Sequence, residues 1–263
     1  MTRGSGASRL ATSLLAFAAV ATLGGCAWHT ANRKEMAEAH YKQARAFLQE
    51  GRGIEDEMNR RRAYQPLREA ISRDPDNPDY RVDLGGIYLF DNRFEDAERE
   101  FTAALELDPN HVNARYNLGV LYLATKRPEQ AIEEFNTVLA DYTFQTPWKA
   151  HVSRGQAYFA LKDFKQAADA FSAAAKVAPN WGAAWQLLGE TLEKDNRLPE
   201  AERALHRALE LQPENVRGRY TLGLVFYRQK RVDEAKVEFR KVIELDRDGE
   251  YGRQATRYLS IIK

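Results

Sequence analysis

Alanine returns along this chain at Ala63, Ala97, Ala131, Ala167, Ala201 and Ala235, at intervals of 34, 34, 36, 34 and 34 residues. A fixed period of that length means that one small unit is copied along the chain. Such a unit cannot bury its own apolar face, so it is stable only when stacked on its neighbours. This feature limits the fold more than any other.

Other columns keep the same register. Twelve residues before the last five alanines come Gly85, Gly119, Gly155, Gly189 and Gly223. Four residues after the alanines come Leu67, Phe101, Phe135, Phe171, Leu205 and Phe239. Prolines close the units at Pro75, Pro109, Pro179 and Pro213. Apolar residues at helical spacing around each glycine, such as Leu84, Tyr88, Leu118 and Tyr122, predict a first helix. The glycine and alanine columns predict close approach of a second helix, and the Phe or Leu column is expected to fill the space between neighbouring units. Proline then stops the second helix, whereas Pro128 and Pro199 fall in the first turn of one, where a missing N–H costs nothing.

The pattern resembles the tetratricopeptide repeat, a helix–turn–helix unit, and Trp185-Gln186-Leu187-Leu188-Gly189 carries its Trp-x-x-Leu-Gly start in full. The resemblance implies an all-α, right-handed superhelical solenoid of six repeats, drawn at 37–77, 78–111, 112–147, 148–181, 182–215 and 216–249. The first unit has about seven extra residues within GRGIEDEMNRRR, read as a longer loop or helix extension. Tyr251, Ala255, Tyr258, Leu259 and Ile262 form a helical stripe over 250–263, the capping helix that a solenoid's last unit requires.

Ahead of the repeats lies a different kind of segment. Residues 1–9 carry Arg3 and Arg9 and no acid, and 10–23 read LATSLLAFAAVATL. That is the layout of an export signal. Fourteen helical residues reach about 21 Å, short of a hydrocarbon core of about 30 Å. The string Leu23-Gly24-Gly25-Cys26 resembles the lipobox of bacterial lipoproteins, which implies cleavage between Gly25 and Cys26 and a covalent lipid on Cys26, the only cysteine. Domains are therefore expected as a signal peptide over 1–25, a lipidated tether over 26–36, the repeats and the cap.

Charge and motifs narrow the chemistry. Net charge is +1, and becomes −1 if Arg3 and Arg9 leave with the signal (37 basic against 38 acidic), so counterion release offers nothing to a nucleic-acid partner. His29, His40, His111, His151 and His206 form no HExxH and no zinc spacing, and each is expected at the surface or in a linker. DNPDY and DPNHV lack the spacing of a calcium loop and read as turns and N-caps. No nucleophile, base or phosphate cradle is evident. The expectation is a protein that is not an enzyme, with no catalytic residue, no metal, no small-molecule substrate and no cofactor beyond the lipid.

The resemblance places partner binding on the first helices. The lining residues are then Val82, Leu89 and Phe90 in the second unit, Tyr116, Val120 and Leu123 in the third, and Val152, Gln156 and Phe159 in the fourth. The fifth is polar, with Gln186, Glu190 and Glu193, and the sixth offers Tyr220, Leu224 and Tyr227. The whole plan resembles the pilotin family of type IV pilus systems, as does the stretched junction DYTFQTPWKAHVSRGQAYF over 141–159. That resemblance implies an outer-membrane lipoprotein that binds the secretin subunit and helps it reach the membrane and assemble. The alternative is a general envelope scaffold, an adaptor for peptidoglycan enzymes or outer-membrane assembly.

Overall fold

A computed structural model describes residues 30–262, all-helical with no strand among them. The signal segment, Trp28, His29 and Cys26 lie outside the described residues. Two compact units divide the chain, one up to Ala114 and one from Arg115.

The first unit holds α1 (30–49), a 3-10 turn at Gly53–Glu55, α2 (Glu57–Arg73), α3 (Pro78–Phe90) and α4 (Phe94–Leu107), and includes the start of α5 (Val112–Ala124). The second unit takes the rest of α5, then α6 (Pro128–Ala140), α7 (Pro147–Ala160), α8 (Phe164–Val177), α9 (Gly182–Lys194), α10 (Leu198–Leu211), α11 (Val216–Arg228), α12 (Val232–Leu245) and α13 (Glu250–Ile261). One boundary differs from the sequence reading: helix already runs at residue 30, so part of the expected 26–36 tether is helical. Pro147, drawn at the end of the third unit and read as the entry to the next helix, is the first residue of α7.

Local chemistry sets the helix ends. Asp56, Asn77, Asp163 and Asn215 accept from backbone N–H groups of the first turns they precede. From α3 onward, each turn from a first to a second helix repeats one device. Asn92, Lys126, Lys162, Asn196 and Lys230 sit at φ of 57–63°. The next residue returns a backbone N–H to a carbonyl five residues back, at 2.7–3.0 Å, as Arg93 does to Tyr88 and Arg231 to Phe226. This is the left-handed helix stop that satisfies the last carbonyls. Arg93, Arg127 and Arg231 also lay their guanidinium groups 4.2–4.4 Å over the rings of Tyr88, Tyr122 and Phe226, packing each stop by a cation–π contact.

The core follows the columns, with one correction. The Phe side chains, fully buried, were expected between neighbouring units, yet each lies edge-on against the glycine of its own helix pair. A Cβ on Gly155 would stand 2.7 Å from Cε1 of Phe171, and one on Gly85 would stand 2.6 Å from that of Phe101. Glycine is kept where a ring needs the room, and each buried ring contributes about 1.5–3 kcal/mol. The insert of the first unit is part loop and part helix. It makes the 3-10 turn and lengthens α2 at its start. Ile54 packs onto Gly86, and Arg60 donates to Asp91 at 2.6 Å and to the carbonyls of Ile54 and Glu55. At the far end, α13 covers the last pair. Tyr258 stacks on Phe239 at 5.1 Å, Tyr251 packs on Tyr220 at 5.4 Å, and Ala255 is fully buried.

Candidate functional site

In the first unit the open apolar group on α3 is Phe90. It is 45% exposed, with the Arg60 guanidinium 5.8 Å from its ring, and Leu89 beside it is half-buried. Val82, expected to line the surface, is a correction. It is buried against Ala104 and Ala114, because a short β-branched side chain at that position reaches only its neighbours. The same unit carries a polar group sequence reasoning missed. Arg45 of α1 meets Asp83 at 3.4 Å, and burial pushes the Asp83 carboxyl up, against the pull of Arg45.

His111 stands in the linker between α4 and α5, and both of its ring nitrogens have partners there. Its Nδ1 accepts from the Ala114 N–H at 3.2 Å, capping α5, while Nε2 meets Asp79 at 3.0 Å. The Asp79 contact, chiefly its hydrogen bond, raises the imidazole and holds the carboxyl below its ordinary value.

In the second unit the expected residues separate into open and covered. Phe159 of α7 is 38% exposed and meets Phe164 edge-on at 5.3 Å, and Gln156 one turn earlier is also exposed. Val152 is buried in the core and is corrected for the same reason as Val82. Val120 and Leu123 are half-buried against Ala131, Phe135 and Ala157. Tyr116 is covered by a residue that the sequence reading passed over. Phe144, from the stretched loop, sets its ring 5.3 Å from Tyr116 and is itself buried, and Phe135 closes the other side at 5.9 Å. Burial accordingly raises the Tyr116 hydroxyl. The two extra residues of that junction serve to fold Phe144 inward, and they leave Tyr142 outside, 97% exposed.

The polar part over α9 and α11 is satisfied from within. Gln186 donates to Glu190 at 2.8 Å, Asn215 donates to Gln186 at 2.6 Å, and Arg217 donates to Glu190 at 2.5 Å. Burial pushes the Glu190 carboxyl up against the pull of Gln186 and Arg217. Glu193, buried, takes Arg228 on both its carboxylate, at 2.5 Å, and its carbonyl, at 2.6 Å. The two carboxylates are enclosed, while Arg217 and Arg228 reach them from partly exposed positions and are already paired. Tyr220 is buried beneath α13 and its hydroxyl is pushed up to about 12, while Tyr227 keeps 39% exposure beside Tyr258. Among the described residues no three His, Cys, Asp or Glu side chains group as metal ligands, and no helix is long and apolar enough to cross a membrane.

Comparison with known proteins adds the following. Residues 109–243 match the family described as Cilia and flagella-associated protein 70 C-terminal domain, and 78–111 match the tetratricopeptide repeat. The peroxisomal targeting signal receptor of Candida glabrata is 38% identical over 108 residues, which is 41% of this chain and 18% of that protein. The chain thus spans about a fifth of the length of that relative. Two solved structures share the fold along most of the chain. That of pilF from Pseudomonas aeruginosa has a TM-score of 0.72 at 19% identity, covering 86% of this chain and 99% of its own. That of PilW, described as a widely conserved type IV pilus biogenesis factor, has 0.71 at 18% identity, covering 84% and 98%.

Proposed function

This chain belongs to the tetratricopeptide family described as Cilia and flagella-associated protein 70 C-terminal domain, and from that premise we propose that it is a lipid-anchored envelope adaptor of the pilotin kind. In this reading it is held at the outer membrane of a diderm bacterium by a lipid on Cys26, and it binds a hydrophobic segment of the type IV pilus secretin subunit. Binding escorts that subunit to the membrane and promotes its assembly into multimers. No catalytic step is part of the role.

The observation that carries the reading is the placement of exposed aromatic side chains on first helices, Phe90 on α3 beside the Arg60–Asp91 pair and Phe159 on α7 beside Phe164. Each offers an apolar anchor within its own unit. Support for the pilus setting comes from the Leu23-Gly24-Gly25-Cys26 string, the stretched 141–159 junction and the fold shared with pilF and PilW. The match to a peroxisomal targeting signal receptor favours a second reading, a general peptide-binding adaptor.

The test is the heat-resistant secretin multimer in cells deleted for this protein. Multimers should fall sharply, with subunit left outside the outer membrane. Multimers at normal abundance exclude the pilotin role, and a crosslinked pull-down that recovers peptidoglycan hydrolases or barrel-assembly components points to the general adaptor.

A further inference from the structure

The seam between successive second helices is built twice in the latter part of the second unit, and the two copies differ. Glu202 of α10 accepts from Arg231, at the start of α12, at 2.7 Å, and His206 of α10 sets its ring 6.2 Å from Phe226 of α11. A carboxylate and a ring one helical turn apart on α10 therefore close that seam. Thirty-four residues earlier, Ala168 stands in place of Glu202, Ser172 in place of His206, Leu192 in place of Phe226 and Arg197 in place of Arg231. The arginine is kept, and the two covering side chains are cut back.

What they leave is a cleft of about 210 Å³ between α8 and α10, floored by Trp185, Leu188 and Leu192 of α9. Arg197 grips Glu200 at 2.8 and 2.6 Å, as Arg231 grips Glu234, but its Nη1, which in the later copy meets Glu202, has only Asp195 among the described residues, at 3.7 Å. Arg203 lines the mouth and is exposed, and the acids Asp169 and Glu200 share the lining with the two arginines.

We infer that this cleft docks a partner peptide presenting a carboxylate and an aromatic side chain one helical turn apart, which supply the two groups that α8 lacks. The carboxylate meets Arg197 and Arg203, and the ring lies on Leu192 and Trp185. A concave apolar floor with a cation at its rim is the arrangement in which a single buried aromatic anchors a contact. The site opens between the second helices α8 and α10 and uses neither Phe90 nor Phe159, so it does not depend on the surface proposed above.

The probe is the end-blocked peptide EAAAF, titrated into the ¹⁵N-labelled full chain and followed by NMR. Saturable shifts are expected at the Trp185 indole and at the amides of Ala168, Ser172 and Leu192. The control peptides QAAAF and EAAAA should bind at least about tenfold more weakly, a difference of about 1.4 kcal/mol. The double substitution Ala168→Glu with Ser172→His rebuilds the closed seam and should abolish the shifts. If that variant does not fold, Ser172→Leu, which fills the floor alone, should do the same. Absence of saturable shifts at these residues, equal binding by either control, or undiminished binding in the filled variant overturns the proposal.

Discussion

At the residue scale, the five turns at Asn92, Lys126, Lys162, Asn196 and Lys230 show what periodic reading finds and what it misses. All five stand in one column and take the same left-handed backbone. Only two are asparagine, which tolerates that conformation; three are lysine, which does not favour it. The repeat predicts a turn there, but the lysines conceal its geometry, because nothing in a lysine signals a positive φ. Lys162→Gly should therefore stabilise the second unit by about 0.5–1 kcal/mol, since glycine meets no Cβ penalty. Lys162→Val should destabilise it, because a β-branched side chain suits that region least. Urea denaturation of both variants checks the pair. A loss of stability in the glycine variant contradicts the account.

At the element scale, contacts that recur every thirty-four residues were legible and contacts made once were not. The ring against its glycine, the capped first turns and the proline stops each follow from one column, although the column did not reveal that each Phe serves its own helix pair. Ile54 on Gly86 and Phe144 on Tyr116 have no periodic counterpart, so no alignment of the chain with itself could find them. The same limit governs the candidate surface. Phe90 and Phe159 stay open because they are long and sit near the ends of their helices, while Val82 and Val152 are too short to pass their neighbours. His151 on α7 offers a test of how such a helix is buried. Its ring is half-buried, Nδ1 has no hydrogen-bond partner, and Arg154 stands one turn away. Burial first and Arg154 second hold the imidazole below its ordinary value. The unfolded chain then takes the proton more readily than the folded one. Stability from this residue is complete above about pH 6.5 and declines as pH falls from there through the lowered folded value. His151→Leu should lose less stability than wild type between pH 7.5 and 5.5, measured by chemical denaturation at both values. Equal losses in the two proteins dismiss the assignment.

At the scale of the whole molecule, the proposed role asks one chain to do two things. Two or three acyl chains, at about 0.8 kcal/mol per buried methylene, hold a protein at a membrane almost permanently, whereas one chain does so only marginally. The aromatic first-helix residues would supply the grip on cargo. Tyr116 is a poor place to test that grip, because it is wedged between Phe135 and Phe144 and an acid there opens the core. Phe90 and Phe159 each protrude within their own unit, so Phe90→Asp combined with Phe159→Asp should abolish capture of the secretin subunit while circular dichroism stays near wild type. Cys26→Ser should do the reverse, keeping capture and losing the membrane. Escort requires both acts on a single molecule. Co-expressing the two variants in a deletion strain should therefore leave secretin multimers as scarce as either variant does alone. If the mixture restores them, anchoring and capture are separable and the protein is not an escort.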